Sequence, residues 1–515
     1  MRPSLYVIPP PEWNENRARA RRASTRLLRC PAGPYSVLVK REGFQSYSIT
    51  SLVLQVDQQA RVNAALQVGA VTENVTVWGG PVDTRSATLN TVITEKMMND
   101  LPLNGRNVMQ LLRLTPGTLS ATGTFNQAAT RPETAGELIS ASGGRGNSTT
   151  FVLDGGIHED PYTEVANVLP NPDAVQEFSF QTNNYGAKFA GRGGGVVNVI
   201  TRSGSNKLHG SLFEYLRNGE ANARNFFAAR NDGLKRNQYG FSLGGPIRQN
   251  RTFFFGSWQG TQVRSLPATN TAVTPTAVQR QGDFSALTTQ LLNPRTSVPI
   301  PGNRIPAADL DPIALRILEV VPLPNSADGL LRYQRADKQT DNQYLVRVDH
   351  SFNAKHQMSG RYFYDQLEIP TIIDPKNVLT AVASRRWQSQ SAVLNYTWTV
   401  SPSLLTSSSL SYNRASNIAH APDFPGHRAL GINVPILSTG DTFRVGVNDY
   451  FSNSYNALYI EFRAISTIFS TAGPIFGRHE LTWGGDVLQE QSIMTGTSTP
   501  TGHLPSRAVF RQQPC

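Results

Sequence analysis

Residues 178–217, FSFQTNNYGAKFAGRGGGVVNVITRSGSNKLHGSLFEYLR, separate two kinds of sequence. Inside the stretch, a glycine-rich segment at 191–195 precedes the β-branched run 196–201, a pattern that predicts a tight backbone approach followed by a strand. An ordinary glycine-rich turn ahead of any strand would look the same locally. The flanking sequence decides between the two readings, because the chain changes character here from short mixed elements to long alternating strands.

The carboxyl-terminal side alternates apolar with small or polar residues. Phe241 and Leu243 alternate with glycine and serine, and Leu394, Tyr396 and Trp398 alternate with polar residues. One lipid-facing side and one lumen-facing side produce this pattern in membrane barrels. We predict strands near 209–217, 238–247, 252–262, 342–350, 357–366, 387–400, 404–414, 456–469 and 479–491.

The connections between these predicted strands are alternately long and short, and the longest runs over 263–341. Outer-membrane barrels have short periplasmic turns and long external loops. A soluble array of sandwiches also alternates apolar and polar residues, but it gives no reason for alternating connection lengths. The long connection should hold a helix capped by Asp311, with Pro312 in its first turn. It would serve as a binding surface or as shielding.

Composition narrows the function classes. No run of about 18 apolar residues occurs, which excludes spanning helices but not spanning strands. The net charge is +11, and residues 1–30, with seven Arg and two Glu, hold +5 of it. The rest is spread thinly, which argues against nucleic-acid binding. Cys30 and Cys515 lie near the two ends and suggest neither a disulfide framework nor a metal site.

The amino-terminal part divides into three segments. Residues 1–30 are basic but have no apolar core of a signal peptide, so we expect disorder there and find no export signal. Residues 31–70 alternate as strands of an incomplete β-sandwich. Residues 71–79 follow as an extended segment, which could be one more edge strand.

Ordered motifs fill residues 80–205: LPLNGRN at 101–107, LTPG at 114–117 and GGRGNSTTFVLDGG at 143–156. Together with the opening stretch they resemble the plug domain of TonB-dependent outer-membrane receptors, in the Oar-like branch. That branch carries a carboxypeptidase regulatory-like domain ahead of the plug, which residues 31–70 resemble. The plug-motif residues carried over are Asn104, Gly105, Arg106, Gly143, Gly144, Arg145, Asp154, Gly155, Gly156 and Arg192.

The segment ahead of the plug resembles a Ton box, which pairs with the energising protein TonB by strand addition. Its residues are Thr72, Glu73, Asn74, Val75, Thr76 and Val77. A plain edge strand remains the alternative.

The resemblance implies a mainly β fold: a partial antiparallel transmembrane β-barrel at 206–515, with an α+β plug domain inside it and an incomplete β-sandwich ahead of it. We expect the run 196–201 to lie in the plug sheet and 203–207 to be the tether to the barrel. The implied function is active uptake of an unidentified extracellular substrate across the Gram-negative outer membrane. The implied partners are TonB with its inner-membrane energising complex and the lipid of the outer membrane. The alternative is a non-transporting Oar-like surface protein for adhesion or display.

No catalytic motif is present: the sequence has no HExxH, no Walker A and no nucleophile elbow, so we expect no enzyme and no cofactor. His158, Glu159 and Asp160 could suggest a metal site, but a polar loop is the favoured reading, since no partner ligands share a spacing. Arg145 and Arg192 could bind anions, although contacts between plug and barrel wall explain them better.

Nine predicted strands are fewer than a plugged barrel needs, and open sheet edges are costly in lipid. We therefore expect a fragment of a longer protein, with an open half-barrel around the plug.

Overall fold

A computed structural model describes most of the chain from residue 88 onward, and strands only before it. The described ranges are 88–120, 139–160, 164–189, 193–224, 233–265, 269–293, 296–401, 404–420, 446–447, 450–452, 457–474 and 480–497, the single residues 226 and 231, and the strands ahead of residue 78. None of the described helices is long and apolar enough to cross a membrane.

Six short strands precede the plug. They are β1 (Ser4–Val7), β2 (Arg21–Arg26), β3 (Gly33–Val39), β4 (Ser46–Leu54), β5 (Arg61–Leu66) and β6 (Asn74–Val77). One sheet has the order β1-β3-β4-β6, and β2 pairs with β5. Strands β1 and β2 lie in the segment where we expected disorder, because each pairs with a strand of the following segment.

Residues 88–201, which the sequence predicts to be a plug and which we call the plug, are built around a five-stranded sheet. The strands of the plug are β7 (Leu89–Thr94), β8 (Thr118–Ser120), β9 (Ile139–Ala141), β10 (Thr150–Leu153), β11 (Gly156–Ile157), β12 (Glu159–Asp160), β13 (Val165–Ala166), β14 (Val175–Asn183) and β15 (Val196–Thr201). Five of them form the sheet, in the order β11-β10-β15-β14-β7. Helix α1 (Glu95–Asp100) begins after Thr94, and short 3-10 turns cover Asn104–Arg106, Val108–Leu114, Pro172–Ala174 and Ala187–Phe189. Asn107 caps the 3-10 helix Val108–Leu114 by accepting a hydrogen bond from the backbone amide of Met109.

Strand β15, from the opening stretch, lies at the centre of the plug sheet, as predicted. It runs parallel to β10 and antiparallel to β14. The glycines before it allow close packing: a Cβ on Gly194 would lie 2.4 Å from the carbonyl oxygen of Ser148, and one on Gly195 would lie 2.4 Å from the ring of Phe180. The glycine-rich segment is therefore a site of close backbone approach.

The wall is a nine-stranded antiparallel sheet whose order follows the sequence. Its strands are β16 (His209–Asn218), β17 (Lys235–Arg248), β18 (Thr252–Ser265), β21 (Asp337–Ser351), β22 (His356–Ile369), β25 (Ser384–Ser401), β26 (Leu404–His420), β29 (Ala457–Pro474) and β30 (Glu480–Thr497). All nine predicted strands are present, and their connections alternate between long and short as expected. Within the described strands, β16 and β30 each have a single neighbour in this sheet.

The long connections carry small elements of their own. They are β19 (Asn270–Val273), α2 (Pro312–Glu319), β20 (Leu330–Tyr333), β23 (Ile372–Asp374), β24 (Asn377–Val382), β27 (Gly446–Val447), β28 (Phe451–Ser452) and 3-10 turns at Gly219–Ala221, Gln279–Gln281, Pro301–Asn303 and Ala307–Asp309. Asp311 caps α2, as predicted, by accepting hydrogen bonds from two backbone amides of its first turn.

The two faces of the wall differ. On one face Tyr344, Val346 and Val348 are exposed. On the other, Phe255, Leu345 and Phe363 are buried and belong to the same hydrophobic core as the plug. The plug therefore packs on the inner face of the wall, while the apolar outer face is left for lipid.

Candidate functional site between plug and wall

The turn between β10 and β11 presents Asp154 to the wall. Asp154 and Gly155 have φ values of 51° and 90°, which suits a two-residue hairpin made from Asp-Gly. The backbone amide of Thr201 donates to the Asp154 Oδ1 at 2.9 Å, and its hydroxyl donates to Oδ2 at 2.8 Å. The end of β15 thus fixes the carboxylate within the plug.

Two arginines of the wall bind this carboxylate. Arg347 Nη1 lies 3.2 Å from Oδ1, and Arg361 Nε lies 3.1 Å from Oδ2. The Asp154 side chain is 7% exposed and that of Arg361 is 2% exposed. Arg361 also donates to the carbonyl oxygens of Leu153 and Ser391 at 3.0 and 2.8 Å. Buried charges persist only when paired and hydrogen-bonded, and here both conditions are met.

A second carboxylate balances the cluster. Arg347 donates to Asp349 on its own strand at 2.9 Å and to the carbonyl oxygen of Thr201 at 2.8 Å. Two guanidinium groups therefore face two carboxylates. We call Asp154, Asp349, Arg347 and Arg361 the ionic contact.

The glycines of the same turn let it approach the wall closely. A Cβ on Gly156 would lie 2.5 Å from Cγ2 of Val393 and 2.9 Å from Cβ of Ser411. Beside it, Asn395 Nδ2 donates to the backbone oxygen of Asp154 at 2.8 Å. The wall strands β25 and β26 therefore leave room for a glycine only.

The turn Asn104–Arg106 makes a second contact with the wall, on β16, β17 and β18. The Oδ1 of Asn104 accepts from Arg217 at 3.1 Å and from Arg236 at 2.8 Å. Gly105 has a φ of 71°, and its carbonyl oxygen accepts from Gln238 at 3.0 Å.

Arg106 completes this second contact. Its Nε donates to Gln259 at 3.2 Å, and its guanidinium lies 4.4 Å from the ring centres of both Phe213 and Tyr215. Its ion-pair partner, Asp173, belongs to the plug itself. We call Asn104, Gly105 and Arg106 with these wall partners the neutral contact, because no ion pair of the set joins plug to wall.

Of the other plug-motif residues, Gly143, Gly144 and Arg145 make backbone contacts within the plug. Gly143, with a φ of 78°, and Gly144 form a turn inside the plug. The carbonyl oxygen of Arg145 accepts from the backbone of Ser148, and its guanidinium forms no ion pair with any described residue. Arg192 lies outside the described residues, so its predicted wall contact stays a prediction.

Of the candidate Ton-box residues, Thr72 and Glu73 lie outside the described part of the chain. Asn74, Val75, Thr76 and Val77 form β6, which runs parallel to β4 at the edge of its sheet. This is the edge strand that the sequence left open as the alternative.

The segment His158–Asp160 is buried, not the polar loop that we favoured. His158 Nε2 donates to the carbonyl oxygen of Val168 at 2.8 Å, and its ring meets Phe363 of the wall edge-on at 5.9 Å between centres. Burial lowers the pKa of His158 to about 4. Glu159 and Asp160 are buried in β12. Within the described residues, no group of three metal-binding side chains comes together.

The long connections pack against each other above the wall. Val321, Leu331, Val378, Leu379 and Phe451 form one buried cluster that joins three separate connections. The amide of Val273 donates to the carbonyl oxygen of Tyr450 at 3.1 Å, and the amide of Val378 donates to that of Val320 at 2.9 Å. These connections therefore form one body.

Sequence reasoning named the plug half of the site and missed the wall half. Arg347 and Arg361 stand at lumen-facing positions in strands whose other face is apolar. A cation at such a position in a regular alternation is the signal that points to them.

The family comparison covers the wall. Residues 200–513, more than half of the 515-residue chain, match the model of an outer membrane beta barrel domain. A curated relative, the TonB-dependent transporter Oar of Myxococcus xanthus, is 26% identical over 252 residues, which make up 45% of this chain and 22% of the relative.

Two solved structures of similar shape are siderophore receptors. PirA of Acinetobacter baumannii is 12% identical with a TM-score of 0.48, covering 80% of this chain and 49% of that one. A mutant of the ferric enterobactin receptor PfeA of Pseudomonas aeruginosa is 12% identical with a TM-score of 0.46, covering 78% and 49%. The chain thus spans about half the length of these structures and about a fifth of the curated relative.

The proteins found are transporters and receptors rather than enzymes, in agreement with the sequence prediction. The chain belongs to the outer membrane beta barrel domain family, and its location is the cell outer membrane.

Proposed function

We propose that this chain is a TonB-dependent receptor that takes up an extracellular substrate, using energy relayed from the inner membrane. The observation that carries the proposal is the plug packed on the inner face of a membrane-barrel wall, held by the ionic and neutral contacts. A wall alone would serve a display protein equally well. A separate folded body with polar contacts to that wall is what a gated passage requires.

The proposed division of the chain follows the sequence analysis. Residues 31–70 form a regulatory-like module and 71–79 the TonB-binding segment, and residues 80–205 and 206–515 form plug and barrel. The substrate would bind outside, on the plug apex and on the body formed by the long connections.

TonB would add a strand to the segment 72–77. Strand addition uses backbone groups of a sheet edge, so the sequence of the segment matters less than its free side. Strand β6 supports this, because it is an edge strand with one neighbour among the described strands.

Force on this segment would reach the plug through β7. The neutral contact would separate before the ionic contact, because Arg106 keeps its ion pair with Asp173 inside the plug when plug and wall part. The ionic contact would keep the plug anchored to β21 and β22 during this step. The passage would then open on the side of β16, β17 and β18.

The proposal is tested by cross-linking and uptake. A photoreactive amino acid at Val75 should give an adduct with TonB in intact cells, and one at Val37, in the more central strand β3, should not. Deleting residues 72–77 should abolish both the adduct and uptake of a substrate found by a ligand screen on intact cells, with surface exposure unchanged. If the deletion leaves energy-dependent uptake intact, the proposal fails. If no ligand is taken up and no adduct forms, the chain is the non-transporting surface protein.

A further inference from the structure

Two short turns of the wall carry cations without acids. The turn 248–252, between β17 and β18, reads RQNRT, and the turn 351–356, between β21 and β22, reads SFNAKH. Arg248, Arg251 and Lys355 are exposed, and none of them forms an ion pair with a described residue. The nearest acid, Asp349, is held by Arg347 on the inner side.

The opposite end of the same strands is of mixed charge. There Glu368 pairs with Arg386 at 3.0 Å, and Asp337 stands beside Lys338. The short turns 248–252 and 351–356 differ from it in having no acid among their cations.

Two histidines extend this basic end onto the outer face. His350 lies directly across from Thr252, and its Nδ1 is 2.8 Å from the Thr252 hydroxyl. His356 Nδ1 lies 2.6 Å from the hydroxyl of Tyr396. When each hydroxyl donates to Nδ1, the ring proton lies on Nε2. Neither Nε2 has a hydrogen-bond partner among the described residues, so each is available as a donor.

Aromatic rings surround the two histidines. His356 stacks on Trp398 with 5.7 Å between ring centres, and His350 meets Phe352 edge-on at 4.4 Å. Trp398 is 41% exposed and Phe352 is 49% exposed. Such rings mark the level where lipid headgroups begin. The donors therefore lie at headgroup depth, with the cations of the turns just beyond them.

We infer that this end of the wall is a binding site for the phosphate of an anionic phospholipid in the periplasmic leaflet. The site consists of Arg248, Arg251, His350, Lys355, His356 and Trp398, and we call it the rim patch. The cations attract the negative headgroup, imidazole Nε2 donates to its phosphate oxygens, and the rings contact the upper acyl chain. Lipid bound there would hold the turns of β17–β18 and β21–β22 at the bilayer surface.

The competing explanation is that these basic residues are ordinary surface charges in contact with water, since basic residues are common at polar turns. It accounts for Arg251 and Lys355. It does not account for two imidazole donors on the lipid-facing side, each oriented by a hydroxyl and flanked by an exposed ring.

The test measures lipid affinity of the purified full chain by native mass spectrometry in a neutral detergent. Phosphatidylglycerol is compared with phosphatidylethanolamine. The variant R251Q/K355Q removes two cations from the rim patch. The matched variant R264Q/K338Q removes two from the opposite ends of β18 and β21, where the residues are cross-strand neighbours. Heat-modifiable migration on gels confirms that each variant is folded.

The wild type should prefer phosphatidylglycerol. R251Q/K355Q should lose about 25-fold in affinity for it, about fivefold for each basic residue at an anionic surface. R264Q/K338Q should bind as the wild type does. His356→Phe, which keeps the ring stack, should lose about tenfold because a donor to a charged group is gone. Equal affinity of the wild type for both lipids, or equal losses in both double variants, would overturn the inference.

Discussion

The ionic contact and the neutral contact hold the same plug to the same wall, but they distribute charge differently. At the ionic contact the plug supplies a carboxylate, Asp154, and the wall supplies two guanidinium groups. At the neutral contact the plug's cation, Arg106, is paired inside the plug by Asp173. The wall offers Arg106 an amide oxygen and two aromatic rings. Pulling the plug away would strand buried charges at the first contact and leave Arg106 with its partner at the second.

This difference gives the interface a strong side and a weak side. Leaving a buried charge without its partner costs about 3–5 kcal/mol, whereas a hydrogen bond from a charged donor to a neutral acceptor contributes about 1.5–3 kcal/mol. We expect plug movement to begin at β16–β18 and to end at β21–β22. The following predictions use one assay: the urea midpoint of the plug in the intact protein. It is reported by a fluorophore on the exposed residue Ala187→Cys, with Cys30 and Cys515 replaced by serine.

The largest effect is expected from Asp154→Asn. Asparagine tolerates the positive φ of this position, so the change removes the charge and keeps the turn. Arg347 and Arg361 would keep only Asp349 between them. The plug should lose about 3–5 kcal/mol of unfolding free energy.

The same change at the other contact, Asp173→Asn, is its control and should cost less, about 1–3 kcal/mol, because the Arg106 side chain is 13% exposed, against 2% for that of Arg361. Arg106 keeps Gln259 and the rings of Phe213 and Tyr215 there. Equal losses in the two variants would show that the contacts do not differ as described.

A smaller loss of plug stability is expected when the pH is lowered. It should arise at His158, which lies near Arg361 of the ionic contact. Burial, and to a lesser extent the nearby positive charge of Arg361, lowers the pKa of His158 to about 4. The unfolded chain has a histidine pKa of about 6.5, so between pH 6.5 and 4 the unfolded state binds a proton that the folded state does not. Stability is therefore present above about pH 6.5 and is lost as the pH falls, by up to about 3 kcal/mol.

His158→Phe should remove most of this dependence. The ring still fits beside Phe363, and there is no group to titrate. The measurement is the urea midpoint at pH 5.0 and pH 7.5 in both proteins. A wild-type midpoint that does not change with pH would contradict the prediction.

Sequence predicted the wall well, because a membrane barrel has to repeat one pattern in every strand. Lipid requires an apolar outer side at every second residue, and this produced nine strands near their observed positions. The alternation of connection lengths predicted which ends of the strands face the periplasm and which face outward. Neither signal depends on which other segment a strand touches.

Sequence predicted the site only on the plug side. The sequence Asp154-Gly155 predicts a turn, because few residue types adopt the positive φ values that such a turn requires. Which wall residues would meet it depends on how the plug is rotated against the sheet, and local pattern holds no information about that. Arg145 was expected at the wall because it stands beside glycines; the same expectation for Arg192 stays a prediction, since that residue lies outside the described part of the chain. The wall itself supplies the arginines, and an acid of the plug receives them.

The next smaller loss of stability is expected at Gly156, where the plug turn fits tightly against the wall. An added methyl group would lie 2.5 Å from Val393 and 2.9 Å from Ser411, so one of the strands β25 and β26 or the turn must shift. Gly156→Ala should cost about 1–3 kcal/mol, as overpacking of a filled interface does. Gly186→Ala is the control, because its Cβ would meet nothing within 4 Å. If both alanines have the same effect, the turn is not seated between these strands.

The smallest effect is a gain, from making the neutral contact resemble the ionic one. The Asn104 Oδ1 already accepts from Arg217 and Arg236, at 3.1 and 2.8 Å. Asn104→Asp places a carboxylate there without changing shape, so that two hydrogen bonds from charged donors to a neutral oxygen become ion pairs. The plug should gain about 1 kcal/mol of unfolding free energy, and this gain should shrink at high salt because the site is partly exposed.

The effect of Asn104→Asp on uptake distinguishes this variant from ordinary stabilisation. If movement begins at the neutral contact, energy-dependent uptake should fall even though the plug is more stable. A more stable plug with unchanged uptake would place the first separation elsewhere.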